Sequence, residues 1–133
     1  MEYRLTPILL ILCEKECIYM VLKSDIFYAN LNNMIGHVQG GIRPVVIISN
    51  NFNNAHSDNV TVVPISSNTN VKLKTHILID GDLVEECGLV KESKILCETI
   101  LTISKSQLYQ RIGRVTVDLT KKINKSIKIQ LAC

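Results

Sequence analysis

The residues best suited to chemistry in this sequence lie in one short stretch, Gly40-Gly41-Ile42-Arg43-Pro44. Adjacent glycines let the backbone adopt dihedral angles that other residues avoid, and they let a ligand approach closely. Pro44 fixes the backbone after Arg43 and biases Arg43 toward an extended conformation. Arginine is always charged, and its planar fork fits phosphate oxygens. The stretch predicts an anion-binding arginine on a rigid element beside a flexible loop; the alternative is a surface ion pair.

Other common arrangements of reactive residues are missing from the sequence. The cysteines are odd in number and include no C-x-x-C pair; they are Cys13, Cys17, Cys87, Cys97 and Cys133. This pattern argues against a zinc finger or a disulfide framework and indicates free thiols. No phosphate loop and no G-x-G-x-x-G fingerprint occurs. None of these motifs therefore implies a metal or a cofactor, and none is expected.

Short runs of β-branched and apolar residues predict the strands that must position Arg43. Residues 44–48 are apolar throughout, which is typical of a strand buried on both faces. Pro64 lacks a hydrogen-bond donor and should mark an edge strand or a strand end. The predicted strands are residues 25–31, 44–48, 60–65, 75–79 and 94–98, and the predicted loops are residues 32–41, 50–59 and 66–70.

Two helices are predicted after the strands. Ser104 and Gln107 fit a capping box and Gly113 fits a helix stop, so a first helix is expected between them. A second helix should follow Thr116. Its apolar stripe consists of Leu119, Ile123, Ile127 and Leu131. Early strands without strand–helix alternation favour a small, mostly antiparallel barrel or roll.

Length and composition describe one independently folding domain. The chain has 133 residues, of which 47% are hydrophobic and 20% charged, and this excludes a disordered or low-complexity chain. Its longest apolar run, residues 7–13, is shorter than the ~18–20 residues of a membrane span and lacks a signal-peptide cleavage site. We expect a cytoplasmic protein without membrane contact. Residues 1–19 differ in pattern from the rest and precede a domain at residues 20–133. They are interpreted either as a real N-terminal extension or as translation from an upstream start.

Charge is unevenly distributed along the chain. The net charge of +3 is made up of +1 over residues 1–79, −4 over residues 80–98 and +6 over residues 99–133. A basic region permits binding to a polyanion, and the alternative is an ordinary solvated helix face. Base-stacking platforms cannot be numerous, because the chain has two Phe, four Tyr and no Trp.

Several of these segments together resemble the MazF/PemK family of toxins, the ribonuclease halves of toxin–antitoxin pairs. The likeness is strongest from Gln39 to Asn50, where QGGIRPVVIISN is similar to the signature of the family. The other matching blocks follow in family order and are residues 25–31, 63–66, 74–79, 98–105 and 112–113. The resemblance extends from about Lys23 to Leu131 and leaves residues 1–19 outside it.

The resemblance implies a mainly β fold with appended helices, a small SH3-like antiparallel β-barrel of the MazF/PemK/CcdB type with a C-terminal helix. It implies a homodimer and a separate antitoxin partner, with DNA contacted only through the antitoxin complex. It also implies an endoribonuclease that cuts single-stranded RNA, such as mRNA, at short sequences without a metal. In that reaction the 2′-hydroxyl of the RNA attacks the adjacent phosphorus and leaves a 2′,3′-cyclic phosphate and a 5′-hydroxyl.

The same resemblance implies catalytic roles for three residues. Arg43 matches the essential arginine of the family and would neutralise the charge of the phosphorane. Ser66 stands where the family usually has threonine and keeps a hydroxyl for the phosphate or the nucleophile. His37 has a side chain that ordinarily titrates near pH ~6.5, and it is our hypothesis for the general acid or base. The alternative is a histidine that only contacts RNA.

Further residues are expected to bind RNA or support the site. The predicted substrate-binding residues are Gln39, Gly40, Gly41, Asn50, Asn68, Thr69 and Lys72. For the last three, the alternative is an ordinary solvated loop. Glu98 should support the site or fix Arg43 rather than act as a base, because carboxylates seldom titrate near neutrality without burial. Val38 and Leu101 replace a glutamate and an arginine that are common in the family, so the resemblance implies one basic RNA contact fewer at Leu101.

Two other functions stay open at this stage. Gyrase-directed toxins share the barrel but act by binding a protein. A relative that binds RNA or antitoxin without cutting is the second alternative. The glycine–arginine loop and the hydroxyl of Ser66 favour the ribonuclease.

Overall fold

Seven strands form one antiparallel sheet in the computed structural model, which describes residues 20–32, 40–70 and 72–133. The strands are β1 (Asp25–Asn30), β2 (Ile42–Ile47), β3 (Asn59–Ser66), β4 (His76–Ile79), β5 (Ser93–Leu96), β6 (Leu101–Ser104) and β7 (Leu108–Arg114). The helices are α1 (Asn51–His56), α2 (Asp82–Glu86) and α3 (Val117–Leu131), and a 3-10 turn spans Lys105–Gln107. All five predicted strands are confirmed, with shifted ends.

The strand order is β4-β5-β3-β2-β1-β7, and β6 pairs with β3 beside this path. The first half of β3 therefore pairs with β6 and its last two residues pair with β5. Across the described residues this order does not close on itself, which is compatible with the predicted barrel-like, mainly β fold. Because β2 and β3 are antiparallel, the start of β2 lies beside the end of β3. This brings Arg43 of β2 and Ser66 of β3 to the same end of the sheet.

Side-chain alternation along the strands builds an apolar core on each face of the sheet. Val45 and Ile47 of β2 belong to one cluster, and Val46 between them belongs to the other. The second cluster is completed by α3, whose Leu119 and Ile123 are buried against the sheet. Burying an aliphatic side chain stabilises a fold by roughly 1.5–3 kcal/mol. Clusters on both faces thus hold β2, which carries Arg43, firmly in place.

The predicted C-terminal helix is confirmed as α3. Thr116 caps it, because its Oγ1 accepts a hydrogen bond from the Leu119 amide at 3.2 Å. The apolar stripe ends at Ile127, since Leu131 is 58% exposed. The opposite face is basic and exposed, and its lysines are Lys121, Lys122, Lys125 and Lys128.

The helix predicted between Ser104 and Gly113 is wrong. The capping box is present, but it closes a single 3-10 turn, after which the chain continues as β7. The cause is tertiary, because β7 pairs with β1 and both Arg111 and Arg114 contact the buried carboxylate of Asp25. These contacts outweigh a local helix signal.

Two further predictions need correction, and two elements were not foreseen. The loop predicted at residues 50–59 contains α1. Pro64 marks neither an edge nor a strand end. It lies between the part of β3 that pairs with β6 and the part that pairs with β5, so its missing donor disrupts neither ladder. Strand β6 and helix α2 carried no clear sequence signal.

The cysteines of the described segments are free thiols, namely Cys87, Cys97 and Cys133. Burial, with the nearby charge of Glu98, raises the pKa of Cys97 to about 12, so this thiol is unreactive. Cys13 and Cys17 lie outside the described residues, as does the predicted extension at residues 1–19. None of the described helices is both long and apolar enough to cross a membrane.

Candidate RNA-binding groove

A groove of about 160 Å³ lies at the end of the sheet where β2 begins and β3 has just ended. Isoleucine, leucine, valine and proline side chains line part of it. Its other lining residues are Tyr28, Arg43, Ser67, Lys91 and Ser93. These residues come from β1, β2, β5 and the connections that follow β3 and α2, so the sheet must form before the groove exists.

Arg43 is held in this groove by the loop that precedes it. Its Nε donates to the carbonyl oxygen of Gly40 at 2.9 Å. Gly41 has a φ of +89°, a left-handed conformation that favours glycine. Its amide donates to Oδ1 of Asn32 at 2.6 Å. Gly41 thus lets the backbone turn back, and the carbonyl of Gly40 fixes the guanidinium.

The free edge of the Arg43 guanidinium is available to a ligand. Among the described residues, its Nη1 and Nη2 groups have no hydrogen-bond partner. The groove holds a second cation, the exposed Lys91, and no carboxylate belongs to its described lining. Two positive charges with unused donors, and no carboxylate in the described lining, make the groove suited to an anion.

Ser66 lies on the same face of the sheet as Arg43 but is covered. Val45 pairs with Pro64, so alternation two residues further along each strand sets Arg43 and Ser66 on one face of the sheet. The serine is 5% exposed, and its Oγ accepts a hydrogen bond from the Asn68 amide at 3.1 Å. The hydroxyl-bearing residue that lines the groove is its neighbour Ser67.

The loop residues predicted to bind RNA start from the same end of the sheet. Asn68 and Thr69 follow directly after β3. Oδ1 of Asn68 accepts a hydrogen bond from the Asn70 amide at 3.1 Å, which shapes the turn. Lys72 is exposed, and its ammonium has no partner among the described residues.

The remaining substrate-binding residues are not all brought together. Asn50 lies beyond the opposite end of β2 from Arg43, and its Oδ1 accepts a hydrogen bond from the Asn53 amide at 2.8 Å. Its side chain therefore caps α1. His37 and Gln39 lie outside the described residues.

Glu98 has partners other than Arg43. Its Oε1 accepts a hydrogen bond from the Thr75 hydroxyl at 3.1 Å, and its Oε2 lies 2.9 Å from Nε2 of His76. Burial alone would raise the pKa of Glu98, but the hydrogen bonds from His76 and Thr75 outweigh burial and lower it. An ionised carboxylate engaged by two donors suits a supporting role better than proton transfer.

Several groove residues carried no signal that sequence reasoning could use. Lys91 follows a glycine-containing turn, and Tyr28 stands inside a predicted strand; neither position differs in sequence from an ordinary surface residue. Lys94 of β5 lies outside the groove lining but pairs with Ser66 and is 7% exposed, and it carried no such signal either. These positions depend on strand pairing, which a single sequence does not specify. Across the described segments, no group of three or more His, Cys, Asp or Glu side chains is arranged to hold a metal ion.

Known proteins share both the sequence pattern and the fold. A family model described as PemK-like, MazF-like toxin of type II toxin–antitoxin system matches residues 23–131. Endoribonuclease EndoA of Bacillus subtilis (strain 168) is 33% identical over 114 residues, which cover 85% of this chain and 96% of that protein. Endoribonuclease MazF of Staphylococcus saprophyticus is 36% identical over 113 residues, with coverages of 84% and 92%.

A solved structure extends the likeness to three dimensions. An endoribonuclease from a mycobacterial species, in complex with its cognate antitoxin, matches with a TM-score of 0.67 at 22% identity. The match covers 86% of this chain and 96% of that chain. At this identity the likeness concerns the fold.

Proposed function

The chain belongs to the PemK-like, MazF-like toxins of type II toxin–antitoxin systems, and on this premise we propose that it is an endoribonuclease that cuts single-stranded RNA. The RNA supplies its own nucleophile. Its 2′-hydroxyl attacks the adjacent phosphorus, the bond to the 5′-oxygen breaks, and the products carry a 2′,3′-cyclic phosphate and a 5′-hydroxyl. No metal takes part in this scheme.

The observation that carries the proposal is the anchored guanidinium of Arg43. Its Nε is engaged by Gly40, so the unused Nη1 and Nη2 groups have a fixed direction before substrate arrives. A pentavalent phosphorane carries more negative charge than the phosphodiester from which it forms. Donors that are already oriented toward this charge stabilise the transition state more than the ground state.

The other two catalytic roles are proposed for Ser66 and His37. Ser66 lies on the same face as Arg43 and would hold the phosphate or the nucleophile through its hydroxyl. His37 would move a proton, as base at the 2′-hydroxyl or as acid at the leaving 5′-oxygen. Asn68, Thr69 and Lys72 would contact the RNA on either side of the cut, together with Gln39. Asn50 is not proposed to bind RNA beside the cut, because it lies beyond the far end of β2 and caps α1.

The partners proposed for this toxin follow from its family. A separate antitoxin is expected, because the mycobacterial relative was solved with its own. An acidic antitoxin segment would cover the basic groove and exclude RNA. We also propose a cytoplasmic homodimer that contacts DNA only through the antitoxin complex.

Cleavage of a long single-stranded RNA by the purified protein in EDTA tests the proposal. We expect cutting at discrete sites, and Arg43→Ala should lose it by about 10²–10³-fold. Lys121→Ala, which removes an exposed charge from α3, is the matched control and should cut normally. Intact RNA together with inhibited gyrase would instead support the gyrase-directed alternative. RNA that is bound but never cut would support the non-catalytic relative.

A further inference from the structure

A hydrogen-bonded cluster at the start of β4 lies outside the groove lining. It consists of Leu73, Thr75, His76 and Glu98, and we call it the His76 cluster. Thr75 and His76 are each 8% exposed, so their polar atoms depend on protein partners. The cluster lies where the chain that follows Ser67 of the groove returns to the sheet as β4.

The two ring nitrogens of His76 have different partners. Nδ1 accepts a hydrogen bond from the Leu73 amide at 3.0 Å, so this nitrogen carries no proton. Nε2 lies 2.9 Å from the carboxylate of Glu98 and therefore donates to it. The amide and the carboxylate together select the Nε2–H tautomer and fix the plane of the ring.

The same histidine holds both backbone groups of Leu73. Its own amide donates to the Leu73 carbonyl at 3.0 Å, while its ring accepts from the Leu73 amide. Leu73 stands between Lys72 and Lys74, which are both exposed. Neither lysine ammonium has a partner among the described residues. The hydrogen bonds that hold Leu73 therefore also fix the backbone from which the unpaired side chains of Lys72 and Lys74 extend.

We propose that His76 is a positioning residue that presents Lys72 and Lys74 to the phosphates of bound RNA. Glu98 supports this role by accepting from Nε2 and so keeping Nδ1 free for the Leu73 amide. The inference rests on the proposed ribonuclease function, because it takes RNA as the ligand. His76 and Glu98 act here through the loop backbone and do not contact the reacting atoms.

Two substitutions separate the two tasks of the ring. In His76→Asn the side-chain oxygen replaces Nδ1 and keeps an acceptor for the Leu73 amide. In His76→Gln the terminal amide replaces Nε2 and keeps a donor to Glu98. Thr75→Val is the matched control, because it removes the other hydrogen bond to Glu98 and leaves Leu73 held. Thermal unfolding of each variant sets a temperature at which all of them are folded.

The measurements are the hydrogen exchange of the Leu73 amide and the KM and kcat for RNA cleavage. In His76→Gln we expect faster exchange and a KM raised about threefold to tenfold at unchanged kcat, as for one lost hydrogen bond. In His76→Asn and Thr75→Val the exchange rate of the Leu73 amide and the KM should stay within about twofold of the values for the parent protein. An equal rise in KM in all three variants, or no rise in KM in His76→Gln, would overturn the proposal.

An imidazole nitrogen spectrum of the parent protein checks the cluster without RNA. The Nε2–H tautomer of His76 is expected, and the Nδ1–H tautomer would contradict the proposed anchoring. A parent protein that cuts no RNA would contradict the proposed function instead. In that case the exchange of the Leu73 amide in the two His76 variants still decides whether His76 holds this segment.

Discussion

A guanidinium contributes most to catalysis when its direction is fixed before the substrate binds, and Arg43 meets this condition through local contacts. The glycines and the proline affect the backbone over only a few residues. The sequence alone therefore predicts that this arginine is a candidate site residue. The burial of Ser66 and the exposure of Ser67 follow from pairing with β5 and could not be predicted from two adjacent serines. We expect Ser66→Ala to lower kcat about tenfold to a hundredfold, because its hydroxyl lies on the Arg43 face and also holds the Asn68 amide. Ser67→Ala should change kcat less than threefold. Single-turnover cleavage measures both, and the reverse order would assign the catalytic hydroxyl to Ser67.

At the scale of elements, the wall of the groove depends on a close approach between the turn after α2 and strand β7. A Cβ added to Gly113 would overlap the carbonyl oxygen of Cys87. Sequence reasoning interpreted Gly113 as a helix stop, because the capping box before it is a local signal and this contact is not. Gly113→Ala should lower the free energy of unfolding by about 1–3 kcal/mol, as expected for overpacking. Gly40→Ala is the control, since its Cβ would lie 3.5 Å from Oδ1 of Asn32, an ordinary contact, and should change stability by less than about 0.5 kcal/mol. Denaturant unfolding compares the two variants. Equal losses of unfolding free energy would show that the close approach of Gly113 to Cys87 is not the cause of the destabilisation.

At the scale of the whole molecule, the sheet gathers the proposed anion site from residues that are far apart in sequence. Composition predicts a basic region after residue 99, but the groove cation Lys91 belongs to the most acidic segment of the chain, residues 80–98. Pairing of β5 with β3 and β4 determines this position, and the sequence does not reveal that pairing. If Lys91 meets an RNA phosphate, Lys91→Ala should reduce the slope of log K against log salt by roughly 0.7 for single-stranded RNA. Lys121→Ala on α3 should leave the slope unchanged. Binding titrations at several salt concentrations test this. Equal reductions of the slope in both variants would mean that RNA contacts α3 as well as the groove.

The most direct test of the central claim is the separate measurement of cleavage rate and RNA affinity in Arg43→Ala. A short single-stranded RNA that contains one mapped cutting site is used under single-turnover conditions in EDTA. We expect the rate at saturating protein to fall about 10²–10³-fold, the products of the parent protein to carry a 2′,3′-cyclic phosphate, and the affinity to change by less than about tenfold. An unchanged rate, or a loss that higher protein concentration restores completely, would contradict transition-state stabilisation by Arg43.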